Sequence, residues 1–451
     1  MTKPSIQGIP RYRALFNTFR FLRDPLGLIN DNIQQFGTTF HTYLGGIHEG
    51  LVTVDAEFIQ HVLQKNHRKY RKSPMHFDKL SHFLGNGLLT SEGEYWLRQR
   101  RLIQPGFHRA RLAALTEIMQ QVIDDFIFKF DTEISSGKPV DIASRMMELA
   151  FNIVARSLFS TNLEEAELRQ LAQNITILQE FIIKEIRQPY LNGWRKFSGA
   201  LREHEKISEE FKQLILKMIH ERRASDETQD DLLQMLLDAR YEDTGEAMND
   251  QQLFEECAIL FVAGHETSAN ALAWTWYLLA QHQDVVQQAR AELTRVLGDR
   301  KPTFEDLPKL EYLTQIIEES MRLYPPAWIT DRIAAENDEW NGIPIKKGMV
   351  VVTYFYGAHH SPKYWQNPEQ FDPERFSKEN KKQHIPFAYS PFGGGPRLCI
   401  GNNFAMMEMQ LVLAALLRRY DFELIPDQIV EPQPLITLRP KNGIWMQWKS
   451  K

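Results

Sequence analysis

Residues 392–401 read FGGGPRLCIG. The chain has two cysteines in 451 residues, and one of them, Cys399, stands inside this glycine run. Three consecutive glycines remove side-chain bulk, so the backbone can turn sharply or approach a flat ligand. After Gly401 the stretch NNFAMMEMQLVLAALLRRY reads as a helix, apolar on most faces and closed by Arg418 and Arg419. Cys399 then lies just ahead of a helix N-terminus, where the dipole and free N–H groups favour a thiolate, the form that binds metal. Arg397 adds a cation two residues earlier. For such a loop taken alone, a glycine-rich turn around a buried structural cysteine is the competing reading.

The full spacing is more specific. It resembles the haem-binding signature F-x-x-G-x-R-x-C-x-G of the cytochrome P-450 family, matched at Phe392, Gly395, Arg397, Cys399 and Gly401. The resemblance implies haem b with Cys399 as the axial iron ligand and the other four residues around the cofactor. It also implies the cytochrome P-450 fold, mainly α with a small β portion.

Other motifs follow in the family's order. The stretch AILFVAGHETSANALAWTWYLLA, 258–280, is a nearly all-round apolar helix candidate and hence buried. Gly264 inside it costs about 1 kcal/mol relative to alanine, which suggests close approach of another group to the backbone. Glu266 and Thr267 are expensive to bury without a purpose. A zinc-protease H-E-x-x-H reading fails, because the second histidine position is Ala269. AGHETS resembles the family's distal [AG]-G-x-[DE]-T-[ST] motif, which implies that Glu266 and Thr267 relay protons during oxygen activation.

EESMRLYPP places Glu319 and Arg322 three apart on one helix face. Alone this is a surface pair, but it resembles the family's E-x-x-R hallmark, whose partner in FDPERF is Arg375. The three are implied to form a buried network supporting the haem-cysteine region. EYWLRQRR resembles the W-x-x-x-R helix, so Trp96 and Arg100 are implied contacts of the haem propionates. His359 and His360 fall in HHSPKYWQNPEQFDPERF, a connecting segment in the family, and are assigned a structural role.

Composition narrows the rest. The balance of 53 basic and 58 acidic side chains, net −5, offers no electrostatic footprint for nucleic acid. Two cysteines cannot build a disulfide framework or a four-cysteine zinc site, and their scarcity fits a reducing cytoplasm. Cys257, in CAILFVAG, reads as an inert core thiol. No apolar run approaches the roughly 18 residues of a spanning helix, so no membrane anchor is expected. The elements expected are short hairpin strands at 37–60 with a helix starting at Asp55, helices from 92 to 222 broken at Pro105, Gly137 and Pro189, and a capping loop at 225–231. Helix resumes over 250–324 with breaks near 298–308, and strands are expected near 343–354 and 435–448. The expected organisation is one catalytic domain over 1–451, monomeric, with the resemblance covering about 35–445 and no fused reductase.

The implied activity is a monooxygenase inserting one oxygen atom of O2 into a C–H bond. No G-x-G-x-x-G strand–turn–helix unit is present, so electrons are expected from separate partners. The resemblance to soluble bacterial members of the family implies a ferredoxin or flavodoxin and its reductase, fed by NAD(P)H. Arg98, Arg101, His108, Arg109 and Arg111 form a basic cluster of the kind that is ordinarily a solvated face; the resemblance implies that an acidic electron carrier docks there. By position, pocket candidates are Met75, Phe77, Phe83, Leu84, the segment 181–194, Leu260, Ala263, Ala327, Trp328, Thr437 and Leu438. Most are apolar, favouring a fatty acid, terpenoid or carotenoid-like substrate, with core packing the alternative for each. His76 and Thr437 leave room for polarity, and O-demethylation is an open variant of the chemistry. A peroxide-driven peroxygenase would not need the Glu266–Thr267 pair. A haem sensor or electron carrier would need neither that pair nor a large pocket.

Overall fold

Gly45 and Gly46 both take positive φ, 59° and 74°, and turn the chain back between strands Thr39–Leu44 and His48–Thr53. The strands pair antiparallel with Thr39 opposite Thr53. Asp55 then caps the helix Ala56–Gln60, its carboxylate accepting from the N–H groups of Glu57 and Phe58, both at 3.1 Å. Hairpin and helix start are where the sequence puts them.

The computed structural model describes residues 6–161, 163–241 and 243–451, without the side chains of Met75 and His76. Its contacts group into two compact units, where the sequence suggests one catalytic domain. The first comprises the described part of Met1–Ser73 with Glu318–Cys399 and Pro432–Arg439. The second comprises Pro74–Ile317, Ile400–Glu431 and Pro440–Lys451.

The first unit is built on a five-stranded sheet. The strand His48–Thr53 runs parallel to Val350–Thr353, and Thr330–Ala334 and Tyr70–Arg71 complete the order. Val350–Thr353 reads VVVT and is buried at every position, as a central strand covered on both faces requires. Thr330–Ala334 was not expected from TDRIA, whose charges break the alternation that marks a strand.

The second unit is helical. Gly137 at φ 66°, Pro105 and Pro189 all lie between helices, as predicted. The acidic loop also caps as predicted, Asp231 accepting from the Gln234 N–H at 2.8 Å at the head of Leu232–Asp238. An unpredicted break falls at Ser160, held at φ 37° after helix Ile142–Phe159.

The longest helix, Asp250–Gln281, starts with a capping box between Asn249 and Gln252. It packs on Ile142–Phe159 through stacked rings of Phe159 and Phe261, 4.3 Å between centroids. A Cβ at Gly264 would lie 3.1 Å from a Val154 methyl, so this neighbouring helix is what approaches the backbone there. Farther along, Trp276 meets Phe422 and Trp448 edge-on and those two rings are tilted against each other, a knot with centroids 5.1–5.2 Å apart. That knot fastens the small sheet Val140–Asp141, Trp445–Ser450, Tyr420–Leu424 to the long helix.

Candidate functional site

In the first unit the site begins with backbone conformation. Gly393 and Gly395 take φ of 72° and 67°, values that side-chain-bearing residues adopt at a cost. A Cβ on Gly395 would collide with the carbonyl of Leu63, on the π-helical turn His61–Lys65. The Cys399 N–H donates to the Phe392 carbonyl at 3.0 Å and Leu398 to Gly395 at 3.1 Å, closing the loop on itself. Cys399 is exposed, Phe392 and Arg397 are half-buried, and neither cysteine forms a disulfide. Cys257 is buried, and desolvation pushes its thiol well up, so it stays neutral.

A buried network stands behind this loop. Arg322 has no accessible surface and donates twice to Glu319, at 2.7 and 2.8 Å. Its remaining N–H groups go to the carbonyls of His359, Pro368 and Gln370 at 2.8, 2.7 and 3.2 Å. Arg375 approaches Glu319 at 3.3 Å, and the Asp372 N–H donates to the same carboxylate at 3.0 Å. Burial raises the Glu319 pKa, and the Arg322 hydrogen bonds oppose that rise. The structure therefore brings Glu319, Arg322 and Arg375 together.

His359 extends the network to the loop. Its Nε2 accepts from the Ser390 N–H at 2.9 Å, two residues before Phe392. Burial pushes its pKa down to about 3 and that of His360 to about 4, so both rings are neutral. A ring nitrogen that must accept this bond has to be neutral.

In the second unit, the mid-helix Thr267 hydroxyl donates to the Ala263 carbonyl at 2.7 Å. Glu266 is buried beside it, and His265 is fixed by a 2.7 Å bond from Nδ1 to the Phe261 carbonyl and an edge contact with Phe151. Trp96 is buried and Arg100 half-buried on helix Gly93–Ile103. Gly401 caps Asn402–Arg419 and lies beside the Phe107 ring.

Glu408, on that helix, escaped the sequence reading. It has no accessible surface, and neither carboxyl oxygen has a hydrogen-bond partner among the described residues. Burial pushes its pKa up to about 8, with nearby Ser268 pulling the other way, so the group is mainly protonated at neutral pH. The sequence shows only a charge in an apolar run.

The pocket candidates separate. Leu84 and Leu438 have no accessible surface, and Phe83 packs edge-on against Phe181 at 5.7 Å. Trp328 is buried with its indole N–H donating to the Leu435 carbonyl at 3.0 Å. All four are buried. Thr437 and Leu260 are buried, while Phe77, Ala263 and Ala327 keep partial exposure. Trp194 points to solvent at 63% exposure, and the Met75 side chain lies outside the described residues.

The basic patch is smaller than its sequence. Arg98 donates to Asp243 at 3.0 Å and lies 4.3 Å over the Tyr241 ring, and Arg111 pairs with Asp230. Arg101, His108 and Arg109 are exposed.

The donor chemistry fits haem. Among the described residues no group of three His, Cys, Asp or Glu side chains could hold a metal, whereas a porphyrin needs only one axial donor from the protein. An exposed thiol on a loop with little side-chain bulk meets that need. Arginines such as Arg100 and Arg397 suit carboxylates.

Comparison with known proteins agrees. The sequence model of the cytochrome P-450 family matches residues 7–446. Cyclooctatin synthase of Streptomyces melanosporofaciens is 34% identical over 390 residues, 85% of this chain and 82% of that protein. Cyclooctat-9-en-7-ol 5-monooxygenase of the same organism is 34% identical over 370 residues, 82% and 79%. The crystal structure of the cytochrome P-450DA haem domain superposes with a TM-score of 0.87 at 24% identity, covering 99% of this chain and 98% of that one.

Proposed function

The chain belongs to the cytochrome P-450 family of monooxygenases, and on that premise we propose that it hydroxylates an apolar, terpenoid-like substrate with electrons from separate redox proteins. The observation that carries this reading is the exposed Cys399 on its positive-φ glycine loop, backed by the Glu319–Arg322 network. Bound haem supplies dioxygen activation and transfer of one oxygen atom to a C–H bond. Each turnover takes O2, two electrons and two protons, and the second oxygen leaves as water.

The protein supplies the rest. Cys399 would hold the iron through its thiolate, with Phe392, Gly395, Arg397 and Gly401 around it. Trp96 and Arg100 would hold the haem carboxylates. Thr267 donates its own proton to Ala263, leaving the oxygen lone pairs to accept one in transit. Glu266 is the adjoining acid that passes protons inward. Phe77, Leu260 and Ala263, all of the second unit, would line the substrate side, where apolar side chains exclude water. Support for the substrate class comes from the Streptomyces relative named for 5-oxygenation of cyclooctat-9-en-7-ol, a cyclic alkenol. A ferredoxin or flavodoxin, itself reduced from NAD(P)H by its reductase, would meet Arg101, His108 and Arg109.

The test is an absorption titration of the haem-loaded ferric protein with cyclic terpene alcohols, fatty acids, carotenoid fragments and methylated sugars. A saturable spin-state shift with the cyclic terpene alcohols is expected. A shift confined to sugar ethers would replace hydroxylation by O-demethylation. Cys399→Ala should lose the thiolate-type spectrum together with oxygen-dependent turnover, and their survival would overturn the ligand assignment.

A further inference from the structure

The helix Arg11–Arg23 reads RYRALFNTFRFLR and turns an apolar stripe to solvent. Tyr12, Leu15, Phe16 and Phe19 are 63%, 55%, 74% and 65% exposed. Positions i, i+3, i+4 and i+7 share one face, an arc of about 100°. Ala14, on the opposite face, is the buried residue of this helix. Ile47, at the tip of the Gly45–Gly46 turn, is 68% exposed, and Arg11 Nε donates to the Gly46 carbonyl at 3.1 Å. Helix and hairpin tip are thereby joined. Apolar side chains scattered singly over a surface are ordinary, but a contiguous stripe of this kind marks an interaction site.

Charge identifies the occupant. The helix carries Arg11, Arg13, Arg20 and Arg23 and no acidic residue, in a chain whose net charge is −5. Nearby acids offset only part of this. Asp31 pairs with Arg20 at 2.5 Å, and Asp24 caps the following helix by accepting from the Gly27 N–H at 2.9 Å. A second copy of the chain fits poorly, since self-pairing of this face would set arginines against arginines. A cationic helix with an aromatic stripe instead matches an anionic bilayer surface, with rings entering the headgroup layer and guanidinium groups meeting phosphates.

We propose that Arg11–Arg23, together with Ile47, is a docking surface for anionic lipid bilayers. No helix among the described residues is long and apolar enough to cross a membrane, so the contact is peripheral. The inference is independent of the substrate assignment.

Flotation of the haem-loaded full chain with phosphatidylcholine vesicles, with and without phosphatidylglycerol, tests it. The variants are Phe16→Ser/Phe19→Ser and Arg13→Glu/Arg23→Glu, all at exposed positions. The wild-type chain should float with the anionic vesicles and release as salt rises. Each double variant should bind about tenfold more weakly or worse, with its absorption spectrum and thermal unfolding unchanged. Failure of the wild type to float with anionic vesicles would sink the proposal, as would equal flotation of all three proteins. A dimer seen by sedimentation equilibrium and split by Phe16→Ser/Phe19→Ser would reassign the face to a second copy.

Discussion

Arg322 uses all five guanidinium N–H donors on Glu319 and three backbone carbonyls, in a position with no solvent. Lysine brings three donors and no planar fork, so Arg322→Lys would leave buried carbonyls unsatisfied. The expected loss is about 3–5 kcal/mol in urea unfolding. Glu408 behaves differently. Its pKa is raised from 4.5 to about 8, so the folded chain binds the extra proton and its contribution falls as pH rises through that interval. Glu408→Gln, neutral and nearly the same size, should flatten that part of the pH–stability curve. An unchanged slope would mean the carboxyl titrates normally. Legibility differed in the same way: the spacing of Glu319 and Arg322 alone reads as a surface pair and only its resemblance to a family hallmark singled it out, whereas nothing local distinguishes Glu408 from a helix-surface acid.

Glycines that look alike in sequence do different things in their elements. Gly395 sits at positive φ with a carbonyl where its Cβ would go, so Gly395→Ala incurs both backbone strain and a collision. Gly264 is helical, and its Cβ would meet only a Val154 methyl at 3.1 Å. There, alanine's gain in helix propensity of about 1 kcal/mol offsets the crowding. Gly264→Ala should thus stay within about 1 kcal/mol of the parent, while Gly395→Ala should cost about 1–3 kcal/mol and disturb the haem spectrum. Thermal unfolding with absorption at each step separates the two. Most long helices were legible because Pro105, Gly137 and Pro189 punctuate strong periodicity. The strands Thr330–Ala334 and Tyr70–Arg71 were not, since pairing with distant partners makes them strands. Pocket lining was the least legible. Leu84 and Leu438 carry the same apolar side chains whether they face a ligand or the core, and their full burial is a tertiary property that sequence does not display.

At the scale of the whole molecule, buried histidines set the acid side of stability. His359 and His360 have pKa values lowered to about 3 and 4, against an ordinary 6.5. The unfolded chain therefore binds more protons below pH 6.5, and stability falls as pH drops. Each histidine removes up to about 1.4 kcal/mol per pH unit in that range. With Glu408 acting oppositely, urea midpoints should peak near neutral pH and decline toward pH 4. The fold class and the role of the Cys399 loop followed from the family resemblance that the motifs carry. The His359 bond to Ser390 did not, because its partners lie 31 residues apart.

The contrast between the two cysteines makes the chain its own chemical ruler. Cys257 is sealed in the core with its thiol held neutral, and Cys399 is open. A small alkylating reagent should therefore add one equivalent to the native chain and two to the urea-unfolded chain, read by mass spectrometry. Haem ligation would withdraw the first of these sites, so the fraction left unlabelled would measure cofactor loading without an absorption spectrum.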